Sequence, residues 1–260
     1  MKNKRTISDI KELLSKDVQP SVLSELAQDE RKGVQKLLTQ YDKRHQAFQE
    51  QMQIFSQKQR LEHPFWAQGQ YVAGVDEVGR GPLAGPVVVA AVVLPSDNTL
   101  YEVDDSKKLS ISKRSELYAK ICDQAIDISV AVGSPRLIDK ENIYHATELV
   151  MKQSIDNMYL LPDHILVDAM TIPVNIPQTK LIKGDAKSLS IGAASIVAKV
   201  ARDRLMEEYD RKYPEFDFLH NDGYGTKKHL EALKQYGKTP IHRESFSPVK
   251  DISKLYGPLA

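Results

Sequence analysis

The chain has 260 residues, 41% hydrophobic and 27% charged, the profile of a globular protein with room for one large domain and a smaller one. Lys plus Arg number 36 against 35 Asp plus Glu, so net charge announces no nucleic-acid partner and any basic surface has to be local. One cysteine, Cys122, excludes an intramolecular disulfide and a cysteine-rich zinc site. No run reaches the about 18 apolar residues of a membrane span, and no signal-peptide core follows the basic start, so a cytoplasmic protein is the simplest expectation.

Residues 1–70 read as an all-helical extension. They hold one glycine, Gly33, before Gly69. Ile7, Ile10, Leu13 and Leu14, then Val22, Leu23 and Leu26, then Val34, Leu37, Leu38 and Tyr41 recur at helical spacing. Ser8 and Ser21 are candidate N-caps, and Pro20 separates the first two helices. A third helix is predicted from about Asp29 to Leu61, ended by His63-Pro64. The segment carries 12 basic and 9 acidic side chains, a mild excess that leaves two readings open: a packing element, or an accessory surface for nucleic acid or a partner.

From Tyr71 the pattern changes. Tyr71–Val75 and the valine-rich Pro86–Leu94 read as strands, the second one central and buried. The short glycine-rich loop between them predicts an antiparallel pair. Lys113–Ala125 is amphipathic and helical, and Ala125–Gly133 alternates as a third strand. Ile138–Leu160 is helix-rich, His164–Val167 is a strand ending on Asp168, and Lys180–Lys183 is a further strand. Ser188–Lys212 is a long helix opened by small residues. A Gly-Tyr-Gly loop, a helix over Thr226–Tyr236 and a proline-rich tail complete the chain. Early strands followed by strands alternating with helices predict an α/β fold with a mixed sheet over 71–260.

Four carboxylates fall at or just past predicted strand ends: Asp76 and Glu77 after the first, Asp168 after the fourth, Asp185 after the fifth. Ligands bind outside strand ends in such sheets. An adjacent Asp-Glu pair in an apolar setting needs a neutralising partner, and a hard divalent cation takes oxygen ligands. Two such ions about 4 Å apart clamp the attacking and leaving oxygens of a phosphodiester displacement. Asp185, just ahead of a helix, is also open to a capping role. No Gly-Lys-Ser/Thr phosphate loop is present, which weakens a nucleoside-triphosphatase reading.

Several separated motifs then point one way: Asp76-Glu77-Val78-Gly79-Arg80-Gly81, Asp105-Ser106-Lys107-Lys108-Leu109, Val167-Asp168, Gly184-Asp185 with Ala193–Lys199, Gly223-Tyr224-Gly225-Thr226 and His242–Phe246. Over about Tyr71 to Val249 the chain resembles bacterial ribonuclease HII. The resemblance implies a ribonuclease H-like fold and a two-metal Mg²⁺ or Mn²⁺ endonuclease. Its substrates would be RNA–DNA hybrids and duplex DNA with embedded ribonucleotides, cut on the 5′ side to leave 3′-hydroxyl and 5′-phosphate ends. It implies that Asp76, Glu77, Asp168 and Asp185 hold the metals. Gly79, Arg80 and Gly81 would sense the ribose 2′-hydroxyl, and Tyr224 would stack on the adjacent sugar. Backbone donors of a glycine loop suit the first task and an aromatic face the second.

Ser106, Lys107 and Lys108 are candidate phosphate contacts, with a solvated turn as the plainer reading. Lys199 is open to either role. His145, His164, His220 and His229 show no ligand spacing and read as structural, His242-Arg243 carries no assigned chemistry, and Tyr144 and Trp66 read as core. The minimal enzyme of the family would begin near Tyr71, so residues 1–70 read as an addition to it. A monomer without membrane contact is expected. The rivals are a ribonuclease HIII-like hybrid nuclease, a DNA-cutting transposase or resolvase of the same fold, and a non-catalytic hybrid-binding module. Retained carboxylates argue against the last, because they repel a phosphate backbone unless metals intervene.

Overall fold

A computed structural model describes residues 5–256; the basic start 1–4 and the end of the proline-rich tail, 257–260, lie outside the described residues. The chain divides into two compact units, Met1–Ser56 and Gln57–Ala260. In the first, α1 (Ile7–Leu13), α2 (Pro20–Ala27) and α3 (Lys32–Lys58) supply a small core of Ile10, Leu14, Leu26, Val34, Leu38 and Tyr41. Thr6, not Ser8, caps α1. Its hydroxyl accepts from the Asp9 amide while the Asp9 carboxylate accepts from the Thr6 amide. Nor does Ser21 cap α2, because the helix already starts at Pro20, where a missing N–H costs nothing. The division at Ser56 falls inside α3.

The second unit opens with the last turn of α3 and with α4 (His63–Trp66), where Pro64 stands in the first turn instead of ending the long helix. Its centre is a mixed sheet of β1 (Val72–Val78), β2 (Val87–Val93), β3 (Asp127–Gly133), β4 (His164–Asp168) and β5 (Gln178–Leu181), in the order β3-β2-β1-β4-β5. β2 runs antiparallel to both β1 and β3, while β4 is parallel to β1 and β5 to β4. The helices are α5 (Ile111–Gln124), α6 (Pro135–Asp156), α7 (Gly184–Lys187), α8 (Leu189–Lys212), α9 (Phe218–Asn221) and α10 (Lys227–Tyr236).

One sheet face packs Ala73, Val75, Val89 and Val167 against Ile138, Val150, Met151 and Ile155 of α6. The other lies under α8, whose first half is almost entirely buried. β2 is covered on both faces, which is why its run is apolar without alternation. β3 is an edge strand and alternates, leaving Val130 and Val132 exposed. The fifth strand ends at Leu181, two residues short of the predicted Lys183, which instead takes a left-handed conformation at φ 56°. Among the described residues no helix is long and apolar enough to cross a membrane.

Two buried polar contacts fasten the start of this unit. Lys58 Nζ donates to the Val103 carbonyl and to Asp104, each at 2.9 Å. The fully buried Glu62 carboxylate accepts from the Ser188 and Ser190 hydroxyls at 2.5 and 2.6 Å and from the Ser190 amide at 3.0 Å. A carboxylate on the free amides of a helix start also complements the helix dipole. Glu62 therefore caps α8 from a distance of 126 residues in sequence.

Among the described glycines the tightest backbone approach is at Gly74. A Cβ there would lie 2.1 Å from the Ser190 carbonyl carbon and 2.3 Å from the Ile191 nitrogen. Both obstacles are backbone, so β1 and α8 would have to separate. Gly74→Ala is expected to destabilise the protein by about 3 kcal/mol, read as a lower urea midpoint at unchanged slope. An unaltered midpoint would mean that α8 does not sit on β1 at this point.

Candidate active site

β1 continues through Val78, so Asp76 and Glu77 stand inside a regular strand opposite Ala90 and Val89. The expectation that the strand stops at Val75, with both acids past its end, is corrected: alternation puts them on opposite faces. Asp76 shares the α8 face with Gly74, accepts from the Glu77 amide at 2.8 Å and faces the Ser195 hydroxyl, which favours its ionised form. Glu77, on the other face, accepts from Arg80 Nη1 at 3.3 Å. The register Val75↔Val167 sets Asp76 beside Asp168 at the end of β4. Burial, then Glu77, then Asp168 push the Asp76 carboxyl well above its usual range. Burial pushes Glu77 up to about 7; Asp168 adds to the rise and Arg80 opposes it. Asp168 is the shared neighbour, and its Oδ1 accepts from the Gly184 amide at 2.6 Å.

Asp185 lies on α7, one residue past that amide. It does not cap the long helix, since Ser188 does so through the Ile191 amide. Its carboxyl is raised by burial, then by Asp105 and Asp168, and lowered by Lys107. The Asp105–Lys108 turn therefore borders the acids. Within it Ser106 is buried with its hydroxyl 2.8 Å from that of Ser195, while Lys107 and Lys108 are exposed. Lys199 is committed to Asp203 and Asp222 at 2.6 and 2.7 Å.

The donor set is carboxylate oxygen, the ligand type of a hard divalent cation. Glu77 Oε2 is buried with no hydrogen-bond partner, and a cation beside it would satisfy that oxygen and offset the charge of its neighbours. Among the described residues no three His, Cys, Asp or Glu side chains are gathered at metal-ligand spacing. The acids thus offer acceptors on adjoining strands rather than a closed cage, as like charges in a dry setting require. Asp76, Glu77, Asp168 and Asp185 fit Mg²⁺ or Mn²⁺ on these grounds.

Gly79, Arg80 and Gly81 follow β1 directly, and Gly79 takes φ 89°. A Cβ on Gly81 would lie 3.3 Å from Tyr224 Cε1, so the two loops meet at this point. The Tyr224 ring is 52% exposed, free to offer a face. Arg80 lies between Glu77 and the ring of Tyr144, whose centroid is 6.0 Å from the guanidinium carbon. Tyr144 is not core, as its sequence context predicts, but 49% exposed. The cause is Asn142, at φ 61° and ψ 162°, which breaks α6 and caps its second half through the Tyr144 and His145 amides.

His229, read as structural, and His242, given no chemistry, prove to be a buried pair. The Thr239 amide donates to His242 Nδ1 at 3.0 Å, which leaves the proton on Nε2. That proton points at His229 Nε2, 3.0 Å away, so His229 carries its own on Nδ1 and donates to the Tyr224 carbonyl at 2.9 Å. Burial lowers both imidazoles, His242 to about 3, and keeps the relay neutral. The same motif supplies Arg243, which reaches the main chain of the Gly79–Gly85 loop. Neither role has a local sequence signal, because His229 lies 13 residues from His242 and the loop carbonyls lie 158 to 164 residues from Arg243.

Residues 73–249 match the family model for Ribonuclease HII, and residues 6–66 match that for the Ribonuclease HII N-terminal domain. The chain belongs to the ribonuclease HII family. It is a ribonuclease H, a hydrolase that acts as a nuclease. Ribonuclease HII of Lactobacillus delbrueckii subsp. bulgaricus is 57% identical over 250 residues, covering 96% of this chain and 98% of that protein. The helical extension is thus no private addition: it has its own family model, and the alignment is too long to omit it. The crystal structure of the ribonuclease H2 from Pyrococcus horikoshii OT3 gives a TM-score of 0.62 at 31% identity, over 70% of this chain and 96% of that one. Bst-RNase HIII in complex with Mn²⁺ gives 0.58 at 19% identity, over 70% and 68% of the two chains, a likeness of fold alone.

Acids whose folded values are raised bind protons more tightly folded than unfolded, so their contribution is present at low pH and lost as pH rises. For Glu77 the window runs from 4.5 to about 7. Without divalent cations, the thermal midpoint of the wild type is expected to fall relative to Glu77→Gln between about pH 5 and about pH 8. Added Mg²⁺ should raise the wild-type midpoint more at the upper end. A gap between the two proteins that ignores pH would return Glu77 to the ordinary carboxylate range.

Proposed function

We propose that this ribonuclease HII relative hydrolyses RNA in RNA–DNA hybrids and incises duplex DNA 5′ to single embedded ribonucleotides, leaving 3′-hydroxyl and 5′-phosphate ends. The observation that carries the reading is the meeting of two groups at the end of β1: neighbouring acids on the adjoining strands β1 and β4, and a glycine loop beside an exposed tyrosine. Asp76, Glu77, Asp168 and Asp185 hold two Mg²⁺ or Mn²⁺ ions. Those ions, when bound, supply Lewis-acid stabilisation of the attacking water and of the leaving 3′-oxygen.

The chain's own groups do the rest. Asp76 and Glu77 bring buried carboxyl oxygens to the reaction centre, which a bound cation would hold in the ionised form, and Asp168 ties them to the Gly184–Asp185 corner. Gly79, Arg80 and Gly81 approach the sugar closely enough to read the 2′-hydroxyl, the group that separates RNA from DNA. Arg80 pairs with phosphate as a fork, and Lys107 and Lys108 add point charges from the neighbouring turn. Ser106 acts from behind, through Ser195. Tyr224 packs its face on the sugar next to the cut. The catalytic domain is 71–260 together with the Lys58–Glu62 segment that anchors it, the helices before that segment form an accessory domain with a nucleic-acid surface, and the protein works as a cytoplasmic monomer.

A duplex with one ribonucleotide, assayed with Mg²⁺ and with Mn²⁺, tests the reading. The wild type cuts on the 5′ side of the ribonucleotide, and Asp76→Asn loses more than about 100-fold, the upper cost of removing a mere outer partner of a metal site. Equal cutting of an all-DNA duplex would point to a transposase-like enzyme. Cutting confined to long RNA runs would point to the ribonuclease HIII type, and full activity of Asp76→Asn would sink the proposal. For the accessory domain, removal of residues 1–56 leaves Lys58 and Glu62 in place. It should raise the apparent Kd for the duplex and flatten its salt dependence. Binding that keeps both values returns these helices to a packing role.

A further inference from the structure

The loop joining β1 to β2 is held from beneath by two guanidinium groups. Arg243 is fully buried. Its Nη1 donates to the Arg80 carbonyl at 2.8 Å, its Nε and Nη2 to the Gly85 carbonyl at 3.0 and 2.9 Å, and its Nη2 also to the Gly79 carbonyl. The ring of Phe246 covers it, 5.0 Å from centroid to guanidinium carbon. Arg202 of α8, equally buried, donates to the Pro86 carbonyl at 3.0 Å and to the Ala84 carbonyl at 3.3 Å. Among the described residues neither guanidinium forms an ion pair; both spend their donors on main-chain oxygens of this one loop. A buried cation without a counter-ion is costly, and burial has pushed Arg243 down to about 9.

The geometry has a directional consequence. In a trans peptide the carbonyl and the following N–H point opposite ways across one plane. Carbonyls of Gly79 and Arg80 drawn onto Arg243 therefore aim the amides of Arg80 and Gly81 away from the interior. Among the described residues neither amide donates a hydrogen bond. Gly81 is exposed and touches Tyr224, and the Arg80 side chain leans aside on Glu77 and Tyr144. The loop thus presents two adjacent unengaged donors in an orientation that its own sequence, with two glycines, is too flexible to fix.

We propose that Arg243 is a positioning residue for sugar discrimination: by pinning the Gly79 and Arg80 carbonyls it holds the Arg80 and Gly81 amides outward as a paired donor site for the 2′-hydroxyl oxygen and the adjoining phosphate of a ribonucleotide. Arg202 fixes the far end of the same loop. The inference rests on the ribonucleotide-incising reading above. It differs from that reading in making discrimination depend on a residue that touches no substrate.

The test compares Arg243→Lys with Ile121→Ala, a core truncation in α5 remote from the loop, chosen to lower stability. Lysine keeps the charge but cannot span three carbonyls with a planar fork. Each protein is assayed on a duplex with one ribonucleotide and on the same duplex with a 2′-fluoro nucleotide there. Arg243→Lys is expected to lose at least about tenfold in kcat/KM on the ribonucleotide duplex, mainly in kcat, and about the same factor in its preference over fluorine. Its thermal shift with Mg²⁺ should persist. Ile121→Ala should keep the wild-type preference. Equal preference in Arg243→Lys and wild type, or equal loss in Ile121→Ala, overturns the proposal.

A second measurement needs no variant at position 243. In Asp76→Asn protein, which prevents cutting, the Arg80 and Gly81 amide resonances should move further on binding the ribonucleotide duplex than on binding the all-DNA duplex, which offers the phosphate but not the 2′-hydroxyl. Resonances that respond alike to both overturn the proposal. A wild type that cuts both duplexes equally would overturn the incision reading instead.

Discussion

Backbone contact between β1 and α8 at Gly74 decides where the rest of the site stands. With no side chain between them, the helix lies low on the strand, and each of its turns meets something chemical. Ser195 reaches Asp76, and through Ser106 the turn that carries Lys107 and Lys108. Arg202 reaches the loop that follows β1. The start of the helix, capped by Glu62, fixes the corner on which Asp185 rides. Small residues at 192–195 are the sequence expression of this contact, because larger ones would lift the helix and separate all of these groups at once.

The same arrangement works against the fold's own stability. Asp76 and Glu77 are charged groups placed where burial and Asp168 both favour their neutral forms. A protein selected for stability alone would not keep them there. The surrounding structure tolerates them because the strands beneath are covered on both faces and the adjoining loop is tied down by Arg202 and Arg243. Strain at Asn142 belongs to the same account. A non-glycine residue at φ 61° costs of order 1–3 kcal/mol, and here it delivers Tyr144 to the flank of Arg80.

Much of this was legible in the residues. The unbroken apolar run of β2 declared a strand covered on both faces, the apolar run closed by Asp168 declared a strand ending on a carboxylate, and a short glycine loop declared the antiparallel pair. What escaped has physical causes. Asp and Glu are poor strand residues, so β1 read as ending at Val75; pairing with Val88, Val89 and Ala90 carries it on to Val78 and overrides that propensity. Tyr144 read as core because it is a large aromatic in a helix-rich stretch, and the break at Asn142 turns it outward instead. Arg243, His242 and Glu62 act on partners more than ten, and mostly more than a hundred, residues away, where no periodicity can announce them.

Composition changes at Tyr71, yet the catalytic fold has already begun by Lys58. Its capping carboxylate and the lysine that steadies the Val103–Asp104 turn both belong to the glycine-poor, helix-rich stretch. The two parts of the chain are therefore not interchangeable cassettes. Recombination between relatives at the visible seam would pair one lineage's Ser188 and Ser190 with another lineage's residue 62, and the mismatch would be felt at the helix that carries Ser195 and Arg202. The seam that preserves the enzyme lies earlier, inside an uninterrupted helix, where nothing in the composition marks it.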